Sequence, residues 1–189
     1  GVFDIMDTAL NDLWLCWGDR LLNHDAEVIK FRDIPTDRGL LFIRPDSDSK
    51  TFAGRVFDGP ELEKWKTGVV KLGEDDGSTL TGDTMVVVCA PKQIFVEVRC
   101  FVVAKRVVTA SIYKRGDRVT YSDQVDQAYI DFAQHMVDLW TTAPVDSYVI
   151  DVADTPEGFK VVEVNTLNAS GFYACDMQRL VGALEDEYD

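Results

Sequence analysis

Basic residues are scarce in this chain: 19 Lys and Arg stand against 33 Asp and Glu, leaving a net charge of −14 over 189 residues. A surface of that sign repels phosphate backbones and anionic lipid at long range, which argues against nucleic acid and membrane as partners. Histidine is scarcer still, with His24 and His135 far apart. The four cysteines, Cys16, Cys89, Cys100 and Cys175, include no C-x-x-C pair. That leaves little basis for a structural zinc site or a dithiol redox motif, and the cysteines read as small buried apolar residues. No uninterrupted apolar run approaches the ~20 residues of a membrane span. The start, Gly1-Val2-Phe3-Asp4, lacks the basic-then-apolar order of a signal peptide. The expectation is a cytoplasmic protein.

What is present is ample core material. Hydrophobic residues make up 46% of the chain and aromatics 11%, which excludes a disordered or low-complexity protein. One compact unit of two lobes is expected. Thr8 to Asn23 places Leu10, Leu13, Trp14, Trp17 and Leu21 at helical spacing, with Thr8 or Asp7 able to cap the start. Gly39 to Ile43 reads as a strand, Asp46 to Gly54 as a polar loop and Arg55 to Phe57 as a second strand. Pro60 to Trp65 suits a short helix with Pro in its first turn, and Gly73 to Asp83 an exposed loop. Thr84 to Cys89 is β-branched, and Val96 to Val103 with Arg106 to Tyr113 forms a hairpin turning at Ala104-Lys105; these strands are expected in one antiparallel sheet. Asp123 to Trp140 carries Val125, Tyr129, Phe132, Met136, Leu139 and Trp140 on one face of a helix, with Ser122 as its N-cap. Ser147 to Val152 and Phe159 to Val164 flank the turn Thr155-Pro156-Glu157-Gly158, and a last helix runs from about Ala174 to Tyr188. No internal repeat is evident, and the class is α+β.

The last hairpin carries the first chemical signal. Side chains two apart on a strand share a face, so Glu163 and Asn165 point one way while Val162 and Val164 point into the core. With the turn centred near Glu157, antiparallel pairing sets Asp151 opposite Glu163 on the same face. Two opposed carboxylates destabilise a hairpin unless something positive lies between them, and hard oxygen donors of this kind suit magnesium with phosphate oxygens. The plain alternative is a solvated acidic sheet face with Asn165 ending a strand.

The run Tyr148-Val149-Ile150-Asp151-Val152, followed by Phe159 to Gly171 with its Glu163-Val164-Asn165, resembles the end of ATP-grasp ligases, where a strand aspartate and an E-x-N motif hold magnesium. Val96-Glu97-Val98-Arg99-Cys100-Phe101 looks like the acidic-x-Arg strand of that superfamily. Phe42 to Gly54 resembles the small ATP-grasp clade named for one arginine and two lysines, widespread in phages and bacteria. Together the three segments cover most of residues 40 to 175. The resemblance implies an ATP-grasp fold with antiparallel sheets and flanking helices in two lobes. It divides the chain into a helical segment at 1–39, as a remnant of or link to a preceding domain, and an ATP-grasp domain at 40–189.

By the same resemblance Asp151, Glu163 and Asn165 hold Mg2+, and Arg44 and Arg99 stabilise the transferring phosphoryl group. Lys50 lies in a loop over the phosphates, Cys89 to Lys92 form the adenine hinge, and Glu97 contacts the sugar side of ATP. Two departures stand out. The loop holds only Gly54 rather than a glycine run, and Arg44 brings a planar fork where relatives have a point charge. Read from spacing alone, Glu97 and Arg99 share a strand face, which fits a functional pair or a surface ion pair of little energetic weight. Lys114 and Arg115 end a strand that runs from the site.

The implied reaction is ATP-dependent carboxylate–amine ligation through an acylphosphate, with a peptide or protein among the candidate substrates. It needs positioning and charge neutralisation rather than a protein nucleophile, so the shortage of histidine is no objection. The alternatives are a catalytically inactive ATP- and magnesium-binding sensor or partner-recruiting module, and a purely structural α+β protein.

Overall fold

The computed structural model describes residues 10–46, 52–72 and 80–188. In chain order the elements are α1 (Leu10–Trp17), β1 (Glu27–Lys30), β2 (Leu41–Pro45), β3 (Arg55–Phe57), α2 (Gly59–Leu72), β4 (Met85–Cys89), β5 (Val96–Val103), β6 (Arg106–Arg115), β7 (Arg118–Ser122), α3 (Gln127–Leu139), β8 (Tyr148–Thr155), β9 (Gly158–Asn165) and α4 (Met177–Tyr188). They form two compact units: Asp25–Pro91, and Gly1–His24 with Lys92–Asp189. Glu27–Lys30, in the segment expected to be helical, is a strand.

The smaller unit is a four-stranded antiparallel sheet in the order β1-β4-β2-β3. Alternation along β2 buries Leu41 and Ile43, which meet Phe31, Leu62, Val86 and Val88 in one cluster. Trp65 of α2 seals that cluster, stacked on Phe57 at 4.5 Å and edge-on to Phe31 at 4.6 Å. The helix expected over Pro60 to Trp65 therefore runs further, to Leu72, because its next turns have the same core to cover. Leu80, expected in an exposed loop, is buried in this core.

The larger unit is a five-stranded antiparallel sheet in the order β7-β6-β5-β8-β9. The strands expected in one sheet are thus split between two, β4 in the smaller unit and β5 and β6 in the larger, with Pro91, which cannot donate to a ladder, between them. One face of the large sheet packs Val98, Cys100, Ile150, Val152 and Val161 against Leu13 and Trp17 of α1, Met136 of α3 and Trp140, which caps α3. α1 is shorter than expected: Gly18 at φ +52° ends it, a 3-10 turn follows, and Leu21 pairs with Val161 instead of continuing the helix. Trp14 is consequently half-exposed. The expected caps Thr8 and Asp7 lie outside the described residues. α3 starts at Gln127, and its cap is Asp126, which accepts from Ala128 N at 2.9 Å, rather than Ser122. The β5–β6 hairpin turns at Ala104-Lys105 as expected, with both residues at positive φ. None of the four cysteines forms a disulfide; Cys89, Cys100 and Cys175 are buried and Cys16 is half-buried.

Candidate functional site

The second face of the large sheet carries α4, whose Leu180 packs with Phe101, Val103 and Val149. Next to that apolar patch lies a row of polar side chains. Ser111, Arg99, Asp151 and Glu163 are directly opposed across β6, β5, β8 and β9, so all four project from one face. Arg99 Nε donates to Asp151 Oδ1 at 2.9 Å and Nη2 donates to Oδ2 at 2.8 Å, a bidentate pair. Both side chains are buried, at 8% and 1% exposure, whereas Glu163 is 55% exposed with Oε1 3.8 Å from Arg99 Nη2. Asn165 Nδ2 donates to Glu163 Oε1 at 2.9 Å.

Glu97 lies two residues along β5 on the same face. Its Oε2 accepts from Tyr113 Oη at 2.7 Å, and Lys114 Nζ is 2.8 Å from Oε1, an ion pair without hydrogen-bond geometry. The surface ion pair considered for Glu97 with Arg99 is therefore not what forms. Both residues are buried, and each has its own partner on a neighbouring strand.

Burial shapes the ionisation of the group. It pushes the Asp151 carboxyl up from the carboxylate range, opposed by the hydrogen bonds and charge of Arg99. For Arg99 burial pulls the other way, but the Asp151 hydrogen bonds and charge outweigh it and hold the guanidinium above its ordinary value. Burial, followed by the charges of Asp151 and Glu97, likewise raises the Tyr113 phenol.

Asp151 does oppose Glu163, but by a different route from the one expected. The tight turn leaves Pro156-Glu157 between paired Thr155 and Gly158, which alone would set Asp151 opposite Val162. A bulge between Asp151 and Val152 leaves Val162 as an extra residue, and this moves Glu163 into place. It also reverses the expected alternation: Val161 is fully buried in the core while Val162 is only half-buried. Two further bulges lie on β6, where Val108 and Tyr113 are unpaired with β5. Without the one at Val108, Arg99 would face Ala110 rather than Ser111.

The positive group between the two carboxylates is the Arg99 guanidinium, so the electrostatic conflict that suggested a cation is met within the protein. Among the described residues no group of three or more His, Cys, Asp and Glu is arranged to hold a metal ion. The donor types still fit a hard divalent cation, because each carboxylate oxygen has two lone pairs and Asn165 adds a carbonyl oxygen beside an exposed Glu163.

Of the other expected contacts, Arg44 and Cys89 belong to the smaller unit. Arg44 Nη1 donates to Pro45 O at 2.9 Å, and Cys89 is buried at the end of β4. Lys92 begins the long second segment of the larger unit and is half-buried, and Lys50 lies outside the described residues. Gly54 is tightly packed: a Cβ there would lie 2.9 Å from the Phe42 ring and 3.1 Å from Arg44 Cβ, so a side chain would force these neighbours to shift.

A groove of about 440 Å³ opens between β6, the start of α3 and the start of α4, lined by Thr109, Asp123, Gln127, Asp176 and Arg179 among others. It contains none of the expected site residues. Sequence reasoning missed two members of the site, Tyr113 and Tyr173, whose rings lie 5.5 and 5.1 Å from Arg99 Cζ. An alternating pattern hides the first because it sits in a bulge, and the second lies in an irregular segment with no period.

Two antiparallel sheets with flanking helices, one bearing an E-x-R strand and an Asp…E-x-N hairpin on a common face, define the ATP-grasp fold. Solved structures agree. The D-alanine–D-alanine ligase of Coxiella burnetii superposes with a TM-score of 0.61 at 16% identity, over 94% of this chain and 53% of that one. The RimK domain ATP-grasp protein of Sphaerobacter thermophilus gives 0.58 at 17%, over 92% and 60%. The ATP-grasp ligase PsnB, complexed with a minimal precursor, gives 0.56 at 15%, over 93% and 59%. The chain therefore spans about three fifths of the length of such proteins or less. No curated protein sequence matches it significantly. Residues 6–184 match the family model of an ATP-grasp domain, family 3 of the clade named for one arginine and two lysines, and the chain belongs to that family.

Proposed function

We propose that the chain is an ATP-dependent, ADP-forming carboxylate–amine ligase. The observation that carries this reading is the buried Arg99–Asp151 pair beside exposed Glu163 and Asn165 on one sheet face of an ATP-grasp family member. In this reading a substrate carboxylate attacks the γ-phosphorus of ATP and releases ADP. An amine then displaces phosphate from the acylphosphate, losing a proton, to leave an amide. Arg99, fixed in orientation and permanently charged, neutralises the oxygens of the transferring group without having to reorganise at the moment of reaction.

Asp151, Glu163 and Asn165 would hold magnesium, which when bound shields the phosphate charge. Arg44, Lys50, Cys89, Lys92 and Glu97 are carried as nucleotide contacts on the family resemblance. A peptide is the substrate class favoured by the likeness to PsnB, which is described in complex with a minimal precursor. A cytoplasmic setting is part of the same proposal; no helix among the described residues is long and apolar enough to cross a membrane.

One observation favours a second reading, an ATP-binding module without turnover: both Asp151 oxygens are already engaged by Arg99. Calorimetric titration of ATP with and without magnesium tests the shared premise. The expected result is magnesium-dependent binding that Glu163→Gln weakens at least tenfold. ADP release on adding candidate carboxylates and amines then separates ligase from module. A folded wild type that binds no ATP overturns both.

A further inference from the structure

The segment between β9 and α4 holds an arrangement that the reaction chemistry does not itself require. Tyr173 has φ +53°, the left-handed region, which a bulky residue occupies only when its surroundings compel it. The segment is pinned to β6 on both sides of the following cysteine. Ala174 N donates to Ser111 Oγ at 3.1 Å, and Asp176 N donates to Thr109 Oγ1 at 3.0 Å. The ring of Tyr173 folds back over Gly171, where a Cβ would come within 3.1 Å of its Cε1. There it is the middle member of a stack of three, 5.2 Å from Tyr113 and 5.1 Å from Tyr121, with interplanar angles of 19° and 23°.

Arg99 meets this stack directly. Its Cζ lies 5.1 Å from the Tyr173 ring centre and 5.5 Å from that of Tyr113, and Nη1 donates to Gly171 O at 3.4 Å. Tyr113 is itself held, because its hydroxyl donates to Glu97. A guanidinium has five N–H donors. Two go to Asp151 and one to Gly171 O, so the remaining two, on the Nη atoms, are the ones available to an anion.

We propose that Tyr173 is a positioning residue for Arg99. Its ring, together with Tyr113 and the Gly171 carbonyl, fixes the rotation of the guanidinium plane about the Asp151 axis and so aims the two remaining Nη donors. Asp151 alone sets where the guanidinium sits, and the rings set which way its plane faces. The strained backbone at Tyr173 and the missing side chain at Gly171 are the local means by which the ring reaches that place. The consequence for phosphoryl transfer rests on the ligase reading above, but the positioning itself does not.

The test uses arginine side-chain NMR of the full chain, with the Arg99 Nε–H resonance assigned by its loss in Arg99→Lys. The wild type should show a ring-shifted, slowly exchanging Nε–H. Tyr173→Phe should keep both properties, Tyr173→Leu should reduce the ring shift to the part that Tyr113 supplies and raise exchange with water at least fivefold, and Gly171→Ala, which crowds the ring without removing it, should fall between. An unchanged Arg99 signal in Tyr173→Leu and Gly171→Ala overturns the proposal. Affinity is then read for magnesium-ADP alone and with beryllium fluoride as γ-phosphoryl mimic. Tyr173→Leu should reduce the gain from beryllium fluoride about tenfold while leaving magnesium-ADP binding unchanged. Equal weakening of both would mean a merely structural role and also overturns the proposal. A wild type that binds no magnesium-ADP sinks the ligase reading while the NMR result stands on its own.

Discussion

Arg99 and Asp151 are worth more as a pair than either is alone. Removing one partner of a buried ion pair leaves an uncompensated charge and costs about 3–5 kcal/mol, whereas an apolar replacement of both is often close to neutral. Asp151→Asn should therefore lower unfolding free energy by about that amount, and Arg99→Met/Asp151→Leu should recover much of it, both read by urea denaturation. Equal losses in the two variants would show that the pair is not what holds this part of the sheet. Tyr148 offers the opposite case. Its hydroxyl is fully buried with no hydrogen-bond partner among the described residues, and burial raises its phenol above the usual range. A folded-state pKa above the unfolded value contributes stability that is present below about pH 10 and lost as pH rises beyond it. Tyr148→Phe should thus gain about 1 kcal/mol at pH 7 and show a shallower loss of stability above pH 10. Tyr113, also raised, keeps part of that slope in place.

At the scale of elements, strands with an unbroken period were legible from sequence and bulged ones were not. The β5–β6 turn at Ala104-Lys105 follows from hydrophobic alternation and turn residues, whereas the pairing of Asp151 with Glu163, though expected, is reached through a bulge. The side-chain directions at Val161 and Val162 do not follow from alternation, since the extra residue shifts it between the turn and Glu163. Glu97, Arg99, Asp151, Glu163 and Asn165 could be named because they lie on strands with a recognisable motif. Tyr113 and Tyr173 could not, one being a bulge residue and the other lying in an aperiodic segment. The bulge makes a direct prediction. Val161→Ala should cost about 2 kcal/mol, by loss of two buried methyl groups' worth of apolar contact, and Val162→Ala well under half of that, measured by thermal or urea unfolding. The reverse order would mean that the simple alternation holds after all.

For the whole molecule the dominant quantity is charge. A net −14 on 189 residues repels itself in the folded state, and salt relieves that repulsion. The melting temperature should rise between about 10 and 150 mM sodium chloride, as followed by circular dichroism. A fall would mean that surface ion pairs such as Arg38–Glu27 and Arg55–Glu61 outweigh the acidic excess.

The larger unit is assembled from two stretches separated by the whole of the smaller one. Leu22 N donates to Val161 O, Lys160 Nζ to Asp19 O, and Leu13 and Trp17 pack with Val152 and Val161. A chain leaving the ribosome therefore presents the α1 segment well over a hundred residues before β8 and β9 exist. The smaller unit, with its own core, is complete by Pro91. The order in which the units can fold thus differs from the order in which their segments are made. The smaller unit can fold while Leu13 and Trp17 of α1 still lack β8 and β9, which leaves the apolar face of that helix open to aggregation during synthesis.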